Sequence, residues 1–263
     1  MRVCVQGLSV WGPGLSGWPQ SARVLRREEA WQHEDLQLPP ARCLPANERR
    51  RSGMLTRLAL ALAEEACTQA GLRPEEARGV FACSNGDGTV VDAILSAITT
   101  EGGEVSPTQF HNSVHNAPAG YWTIGHKTQV PAVALGCFDW SFTQGLLKAA
   151  AECVVENTPT LLVVYDLPIP GPIGKVRVTE YPFGCAFVLQ PRLGLEGICV
   201  LDISYDPTAS GYDNIAHPEL LDLSHLNPAG AGLVLLEKIA HQTAEQVRLP
   251  CQPGTLSVAV QPC

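Results

Sequence analysis

The sequence predicts an α/β fold built around a largely buried β-sheet. Short apolar strands alternate along the chain with segments of helical periodicity, a pattern typical of sheets that helices cover. Residues 160–166, TLLVVYD, are a continuous apolar run, as expected for a strand buried on both faces. With 263 residues and 45% apolar content, the chain is large enough for one domain spanning residues 1–263.

Periodicity and helix-stop residues place the individual elements along the chain. Strands are expected at residues 2–8, 79–83, 130–136, 160–166, 184–190, 197–204 and 255–260. Helices are expected near 22–33, from Met54 to a stop at Gly71, at 89–100, from Ser106-Pro107, after Pro118, at 139–151 and at 228–241. The segment NGDG at 85–88 predicts a turn, because it lacks the lysine and glycine spacing of a phosphate loop.

Composition excludes several classes of protein. The net charge of −8 argues against a nucleic-acid partner, which would require a basic face. The ten cysteines contain no CxxC pair, so neither a zinc ribbon nor a redox motif is expected. No apolar run reaches the length of about 18 residues that an integral membrane segment requires. We therefore expect a cytoplasmic protein, and no cofactor is indicated.

Charge is distributed unevenly along the chain. Residues 1–78 hold 11 Arg and 9 acidic residues, a net of +2, which leaves −10 for residues 79–263. The basic excess is greatest at Arg49, Arg50 and Arg51. These residues are either a solvated helix start or a docking patch for an acidic partner, since clustered arginines steer anionic proteins.

The most informative segment is residues 110–151, in which Cys137 follows an apolar strand and precedes a helix. A cysteine at a helix N-terminus has its thiolate favoured by the helix dipole and free N–H groups. Cys137 is therefore the candidate catalytic nucleophile. The alternative is a small buried residue, because free cysteines are among the most buried residue types.

In this arrangement the chain resembles the β-ketoacyl synthases, which have the thiolase fold. The resemblance rests on six stretches in the family's order: RVCVQGLSVWGPG, RRRSGMLTRLALALAEEACTQAGL, GVFACSNGDG, HNAPAGYWTIGHKTQVPAVALGC, LLVVYDLP and YPFGCAFVLQ. Together they span about residues 1–190, the N-terminal half of the synthase. The resemblance implies a thiolase-like fold, in which a mixed, mostly buried sheet carries helices on both faces.

The departures from the synthases change the functional expectation. Residues 191–263 form a short divergent extension, too short for the half in which synthases carry two catalytic histidines. His217, His225 and His241 lie in none of the family's Gly-His motifs. Phe138, Asp139 and Trp140 stand where synthases have small residues, and a carboxylate beside Cys137 would raise the pKa of its thiol.

The chain resembles more closely the half-length synthase-like proteins called chain length factors, found in bacterial aryl polyene and related clusters. This resemblance implies a heterodimer with an active β-ketoacyl synthase, contact with acyl carrier protein, and a role in shaping the acyl-chain tunnel. An active Cys137-dependent synthase or acyltransferase and a purely structural assembly protein remain alternatives. Whether the chain is an enzyme is left open, with the missing histidines favouring a partner subunit.

Candidate tunnel and interface residues cluster around Cys137 in the sequence. They are Phe110, His111, His115, Asn116, Tyr121, Trp122, Phe138, Trp140 and Phe142. Flat rings suit a conjugated chain, although packing in the core is the alternative for the aromatic residues. His111 and His115 are four residues apart and could share a helix face, but no third ligand has suitable spacing, so no metal site is predicted.

Overall fold

The computed structural model describes residues 1–191 and 197–263. Nine strands within these residues form one sheet: β1 Arg2–Gly12, β2 Leu15–Ser16, β3 Arg78–Ala82, β4 Ala132–Leu135, β5 Thr160–Asp166, β6 Phe183–Gln190, β7 Cys199–Asp206, β8 Glu245–Pro250 and β9 Thr255–Pro262. The strand order is β4-β3-β5-β6-β1-β7-β9-β8, and β2 pairs with β1. β3 runs parallel to β4 and β5, whereas the other pairs are antiparallel. The sheet is therefore mixed.

Helices cover both faces of this sheet. They are α1 Trp18–Leu25, α2 Ala46–Arg51, α3 Met54–Gln69, α4 Gly88–Thr99, α5 Pro107–Asn112, α6 Ala117–His126, α7 Ser141–Glu156, α8 Gly171–Val176, α9 Leu221–His225 and α10 Gly232–His241. Alternate residues of a strand point to opposite faces, and β5 supplies both cores in this way. Leu162 and Val164 pack in one core with residues of α7 and α10, whereas Leu161 and Val163 pack in the other with residues of α3 and α6.

The long apolar elements lie close to their predicted positions, and most differences concern short segments. The first helix lies at Trp18–Leu25 instead of 22–33, since Pro19 fits a first helical turn and the helix ends before Arg27, whose φ is +59°. β8 was not predicted, because only two of its six side chains are buried. α10 begins at Gly232 because Pro228–Ala231 form a 3-10 turn.

The extension after residue 190 belongs to the same sheet as the rest of the chain. β7 pairs with β1, β9 pairs with β7, and β8 pairs with β9. α10 buries apolar side chains in the core that also contains Phe142 and Phe187. Across the described part of the chain, no helix has both the length and the apolar character needed to span a bilayer.

Candidate functional site

Cys137 lies between the end of β4 and the start of α7. A 3-10 turn at Phe138–Trp140 separates it from the first residue of α7, Ser141. The prediction that Cys137 sits directly at the helix N-terminus is therefore wrong by one turn. The Cys137 N–H donates to Ser141 Oγ at 3.0 Å, and Ser141 Oγ donates to the Phe138 carbonyl at 2.8 Å. These two bonds hold the turn against α7.

Gly145 brings α7 close to the sheet below Cys137. A Cβ atom at this position would lie 3.0 Å from Cβ of Ala82 and 3.1 Å from Cδ1 of Leu162. The helix that follows the cysteine thus packs closely on β3 and β5, and this packing positions the adjoining Cys137 loop.

The Cys137 thiol is half-buried, and burial raises its pKa above the ordinary value. The expectation that Asp139 causes this rise is wrong, since the Asp139 carboxylate forms an ion pair with Nη1 of Arg177 at 2.6 Å. In residues 1–191 and 197–263, no histidine forms a hydrogen bond to the thiol. The site therefore favours the neutral thiol over the nucleophilic thiolate.

Phe138 adopts a backbone conformation that is unusual for a bulky residue. Its φ is +55°, in the left-handed region that costs a non-glycine residue of order 1–3 kcal/mol. Its ring is 54% exposed, and the Arg177 guanidinium carbon lies 3.9 Å from the ring centroid. The Trp140 ring lies 6.0 Å away between centroids. The two rings and the arginine thus cover one side of the Cys137 turn.

Arg177 is a site residue that the sequence did not indicate. Besides Asp139 and Phe138, its guanidinium donates to Ser84 Oγ at 2.6 Å and to Asn85 Oδ1 at 2.8 Å. Its partners come from two segments about 40 and 90 residues upstream, and no local pattern links them to Arg177. The arginine joins the turn after Cys137 to the turn after β3.

The buried carboxyl group of Asp166 stabilises the turn after β3 through hydrogen bonds. Its oxygens accept the backbone N–H of Ser84 at 2.9 Å and that of Asn85 at 3.2 Å, and the Cys83 thiol lies 3.2 Å away. Burial raises the pKa of Asp166 to about 7, although the N–H donors oppose this rise. The predicted turn at 85–88 is present, with Gly86 at φ +68° and the Asp87 side chain accepting from the N–H of Val90 at the start of α4.

Three of the predicted tunnel residues are core residues instead. Phe142 is buried 6.0 Å from the Phe187 ring, and Tyr121 and Trp122 are buried in the opposite core. The Tyr121 hydroxyl donates to Asn112 Oδ1 at 3.0 Å, so its polar end is satisfied within the chain. The prediction fails here because a helix turns roughly half of its side chains inward, and the sequence does not reveal which aromatic residues those are.

His111 and His115, which could have shared a helix face, are not brought together. α5 ends at Asn112, so His115 does not share a helix face with His111. The His111 ring packs edge-on against Tyr121 at 6.1 Å, whereas His115 Nε2 lies 2.8 Å from the Cys83 carbonyl oxygen. Asn116 is exposed immediately before α6, and its side chain forms no capping bond.

The arginine cluster lies on α2 at the rim of a groove of about 530 Å³. Arg49 and Arg50 line this groove together with Arg57, Met54 and residues 36–41. Arg49 is anchored by donating to the Leu44 carbonyl at 3.2 Å, and Arg51 points outward with Glu48 3.8 Å away. Three guanidinium groups on one groove form a basic surface on an otherwise acidic chain.

A second cavity of about 410 Å³ lies beside the turn after Cys137. Trp140, Pro228, Ala231, Val234 and Pro250 form its apolar wall, and Asp139, Tyr212, Asp213, Asn214, Ser224, His225 and Asn227 complete the lining. His225 was not singled out from the sequence, and its Nε2 lies 3.0 Å from Asn214 Oδ1. The extension after residue 190 thus closes a cavity next to the candidate nucleophile.

Comparison with known protein families identifies this architecture. The model of the beta-ketoacyl synthase N-terminal domain matches residues 18–226. The chain belongs to this family. The match continues beyond residue 190, where the sequence resemblance was expected to end, so the family's domain includes β7 and α9. The fold is the thiolase-like fold of the ketosynthases.

Solved structures with the same fold include complexes of ketosynthases. A chain in the ketosynthase ApeO with its chain length factor ApeC, from Xenorhabdus doucetiae, is 19% identical with a TM-score of 0.72, covering 99% of both chains. A chain of the ishigamide ketosynthase/chain length factor is 14% identical with a TM-score of 0.71, and the match covers 99% of both chains. A chain of the AntDE:AntF complex, a type II acyl-carrier protein with its ketosynthase, is 11% identical with a TM-score of 0.75. The match covers 100% of this chain and 99% of the other. At these identities the likeness shows the fold. No curated protein matches significantly.

Proposed function

We propose that this ketosynthase-like chain is a partner subunit of the chain length factor type. In this proposal it forms a heterodimer with an active β-ketoacyl synthase of a fatty acid or aryl polyene-like polyketide system and helps to shape the acyl-chain tunnel. The observation that carries the proposal is an exposed apolar face beside the open edge of the sheet, close to Cys137.

This apolar face comprises exposed side chains of α4, α5 and α6 and of the turn between α5 and α6. Ile98 is 64% exposed and Phe110 is 67% exposed, and Leu95, Val114 and Ile124 are also exposed. α4 packs on α5, and α6 packs on the edge strand β4. Large exposed apolar patches mark interaction sites, and an edge strand offers unpaired N–H and C=O groups to another chain. A partner that covers the face and pairs with β4 would bury the apolar side chains and form hydrogen bonds with the unpaired N–H and C=O groups of the edge strand.

The state of Cys137 supports a partner role over catalysis. Condensation requires a thiolate nucleophile. Here burial raises the pKa of the thiol, and among the described residues no histidine forms a hydrogen bond to it. The residues that follow Cys137 are bulky, and the Phe138 ring packs against Trp140 and Arg177. The apolar cavity beside Trp140 supports a role in holding part of an acyl chain.

The basic groove supports contact with an acyl carrier protein. Arg49, Arg50 and Arg57 line it, and complementary charge raises the association rate of an acidic partner. The carrier protein is thus proposed to approach at α2, which adjoins α5 through a hydrogen bond from Asn112 Nδ2 to the Arg51 carbonyl at 2.7 Å.

Co-expression of this chain with an active β-ketoacyl synthase from the same genome tests the assembly. We expect the two chains to elute as one heterodimer in size-exclusion chromatography with mass measurement. Ile98→Asp should weaken the complex at least tenfold, because it places a charge within the apolar interface. Val155→Asp is the matched control, since Val155 is a more exposed valine on α7, and it should leave the complex intact.

Two results would contradict the proposal. One is failure of the wild-type chain to associate with any co-encoded synthase. The other is equal association of the Ile98→Asp and Val155→Asp variants, which would show that the apolar face of α4 is not the interface.

A further inference from the structure

A second cluster of reactive side chains lies away from Cys137. Cys43 comes from the loop before α2, Glu64 from the middle of α3, and His126 is the last residue of α6. Their thiol, carboxylate and imidazole atoms all lie within 4.8 Å of one another. His126 Nε2 and Glu64 Oε1 are 3.5 Å apart. The three residues are far apart in the sequence, which explains why spacing alone predicted no metal site.

The imidazole of His126 lacks the partner that a buried nitrogen normally has. Its Nε2 is buried and forms no hydrogen bond in the described structure. Leaving such a group unsatisfied costs about 1–3 kcal/mol. The ring is held by Trp122, whose centroid lies 4.1 Å away, so Nε2 is fixed facing Cys43 and Glu64. The uncharged imidazole nitrogen is the form in which histidine binds metals.

The donor set fits one metal in particular. A thiolate, an imidazole and a carboxylate are the ligands of zinc, at about 2.3, 2.0 and 2.0 Å, whereas calcium and magnesium prefer oxygen ligands alone. In a tetrahedral site with those bond lengths, neighbouring donor atoms lie roughly 3.3–3.6 Å apart. The 3.5 Å between His126 and Glu64 already matches this spacing, and the Cys43 sulfur lies within 4.8 Å of both.

We propose that Cys43, Glu64 and His126 bind one Zn²⁺ ion, with water at the fourth position. On binding, the Cys43 S–H bond breaks, the sulfur forms a bond to zinc, and the proton passes to solvent. The charges of Zn²⁺, the thiolate and the Glu64 carboxylate then sum to zero, which suits a half-buried site. The carboxylate of Glu75 adds further negative potential at His126.

The zinc would fasten the Cys43 loop onto two helices. Leu44 is buried beside Cys43, and its carbonyl accepts a bond from Arg49. Gly125 allows the loop to approach α6, because a Cβ there would lie 3.2 Å from the Cys43 sulfur. The bound ion would therefore stabilise the base of α2, the helix that carries Arg49 and Arg50. This inference does not depend on the proposed role of the chain as a partner subunit.

Cobalt(II) titration of the full, chelator-treated chain tests the site directly. We expect one equivalent of Co²⁺ to bind, with a thiolate-to-metal charge-transfer band and the strong visible bands of tetrahedral cobalt. Added Zn²⁺ should displace the cobalt and raise the Tm. Cys43→Ser should abolish the charge-transfer band, and His126→Gln should weaken binding at least tenfold.

Cys263→Ser is the matched control, because Cys263 is the exposed cysteine outside the cluster, and it should retain the full band. The proposal is overturned if wild-type protein shows no charge-transfer band, if the band persists in Cys43→Ser, or if it disappears in Cys263→Ser. Circular dichroism identifies a variant that fails to fold, and Glu64→Gln then provides the second measurement, with a predicted loss of at least tenfold in affinity.

Discussion

At the residue scale, the conformation of the Cys137 loop depends on the buried carboxyl group of Asp166, a residue that the sequence did not indicate. Asp166 is buried at the end of β5 and holds the backbone of Ser84 and Asn85, which in turn hold Arg177. Arg177 then orders the turn after Cys137. The conformation of the candidate nucleophile loop is thus determined by a residue about 30 positions downstream.

The pKa of Asp166 gives a prediction about stability and pH. Its folded value of about 7 exceeds the value of about 3.9 for an unfolded chain. Its contribution to stability is therefore fully present below about pH 4 and is lost as the pH rises through 7. Asp166→Asn removes this dependence, so its free energy of unfolding relative to wild type should improve by roughly 2–4 kcal/mol between pH 4 and pH 8. Urea unfolding across this range measures the change, with Asp222→Asn on the surface of α9 as the control. A difference that stays constant with pH would contradict the burial argument.

The connection from strand to helix around Cys137 was predictable from the sequence, whereas the contacts around it were not. The apolar run before the cysteine and the helical stretch after it indicated a strand-to-helix connection. The contacts with Arg177 join segments that are distant in the chain, and no local periodicity encodes them. The division of the aromatic residues between surface and core likewise depends on helix rotation against the sheet.

At the scale of elements, the connection between α8 and β6 acts on the turn after Cys137. Arg177 follows α8 and bonds to Ser84, Asn85 and Asp139. Arg177→Gln should destabilise the protein by about 1–3 kcal/mol, because hydrogen bonds that involve a charged group contribute about that much. Denaturant unfolding measures the loss. Lys175→Gln, an exposed change on α8, should cost less than about 0.5 kcal/mol. Equal effects of the two variants would mean that the Arg177 contacts do not order the turn.

The secondary structure itself was largely predictable where helices or strands bury a continuous stripe. α3, α7, β5 and β6 have such stripes, and their bounds differ by few residues from those expected. β8 and the short helices α2, α8 and α9 bury too few side chains to produce a pattern. Their conformation follows from tertiary contacts, which is why the sequence left them unassigned.

At the scale of the whole molecule, the segment after residue 190 is part of the same folded unit as the rest of the chain. The extension after residue 190 completes the sheet with β7, β8 and β9 and closes the cavity beside Trp140. This arrangement supports the proposal that residues 1–263 fold as one domain. Exposed apolar side chains of α4, α5 and α6, among them Leu95, Ile98, Phe110 and Ile124, lie where the synthase is proposed to bind.

The cavity leads to a prediction about product length. Trp140→Ala enlarges the apolar space beside the Cys137 turn, so a synthase reconstituted with this variant should form longer acyl chains than with the wild type. Mass spectrometry of the carrier-bound products measures the shift. Val155→Ala on α7 is the control. Unchanged product length with Trp140→Ala would favour a purely structural assembly role over a role in shaping the tunnel.

The central claim is that this chain assists condensation without supplying the nucleophile. The most direct test compares carrier-bound products from the synthase reconstituted with wild-type chain and with Cys137→Ala. We predict rates within about twofold of each other, since the Cys137 thiol is held neutral and lacks a histidine partner. Loss of product with Cys137→Ala, while the heterodimer remains intact, would contradict the claim and identify Cys137 as a catalytic nucleophile.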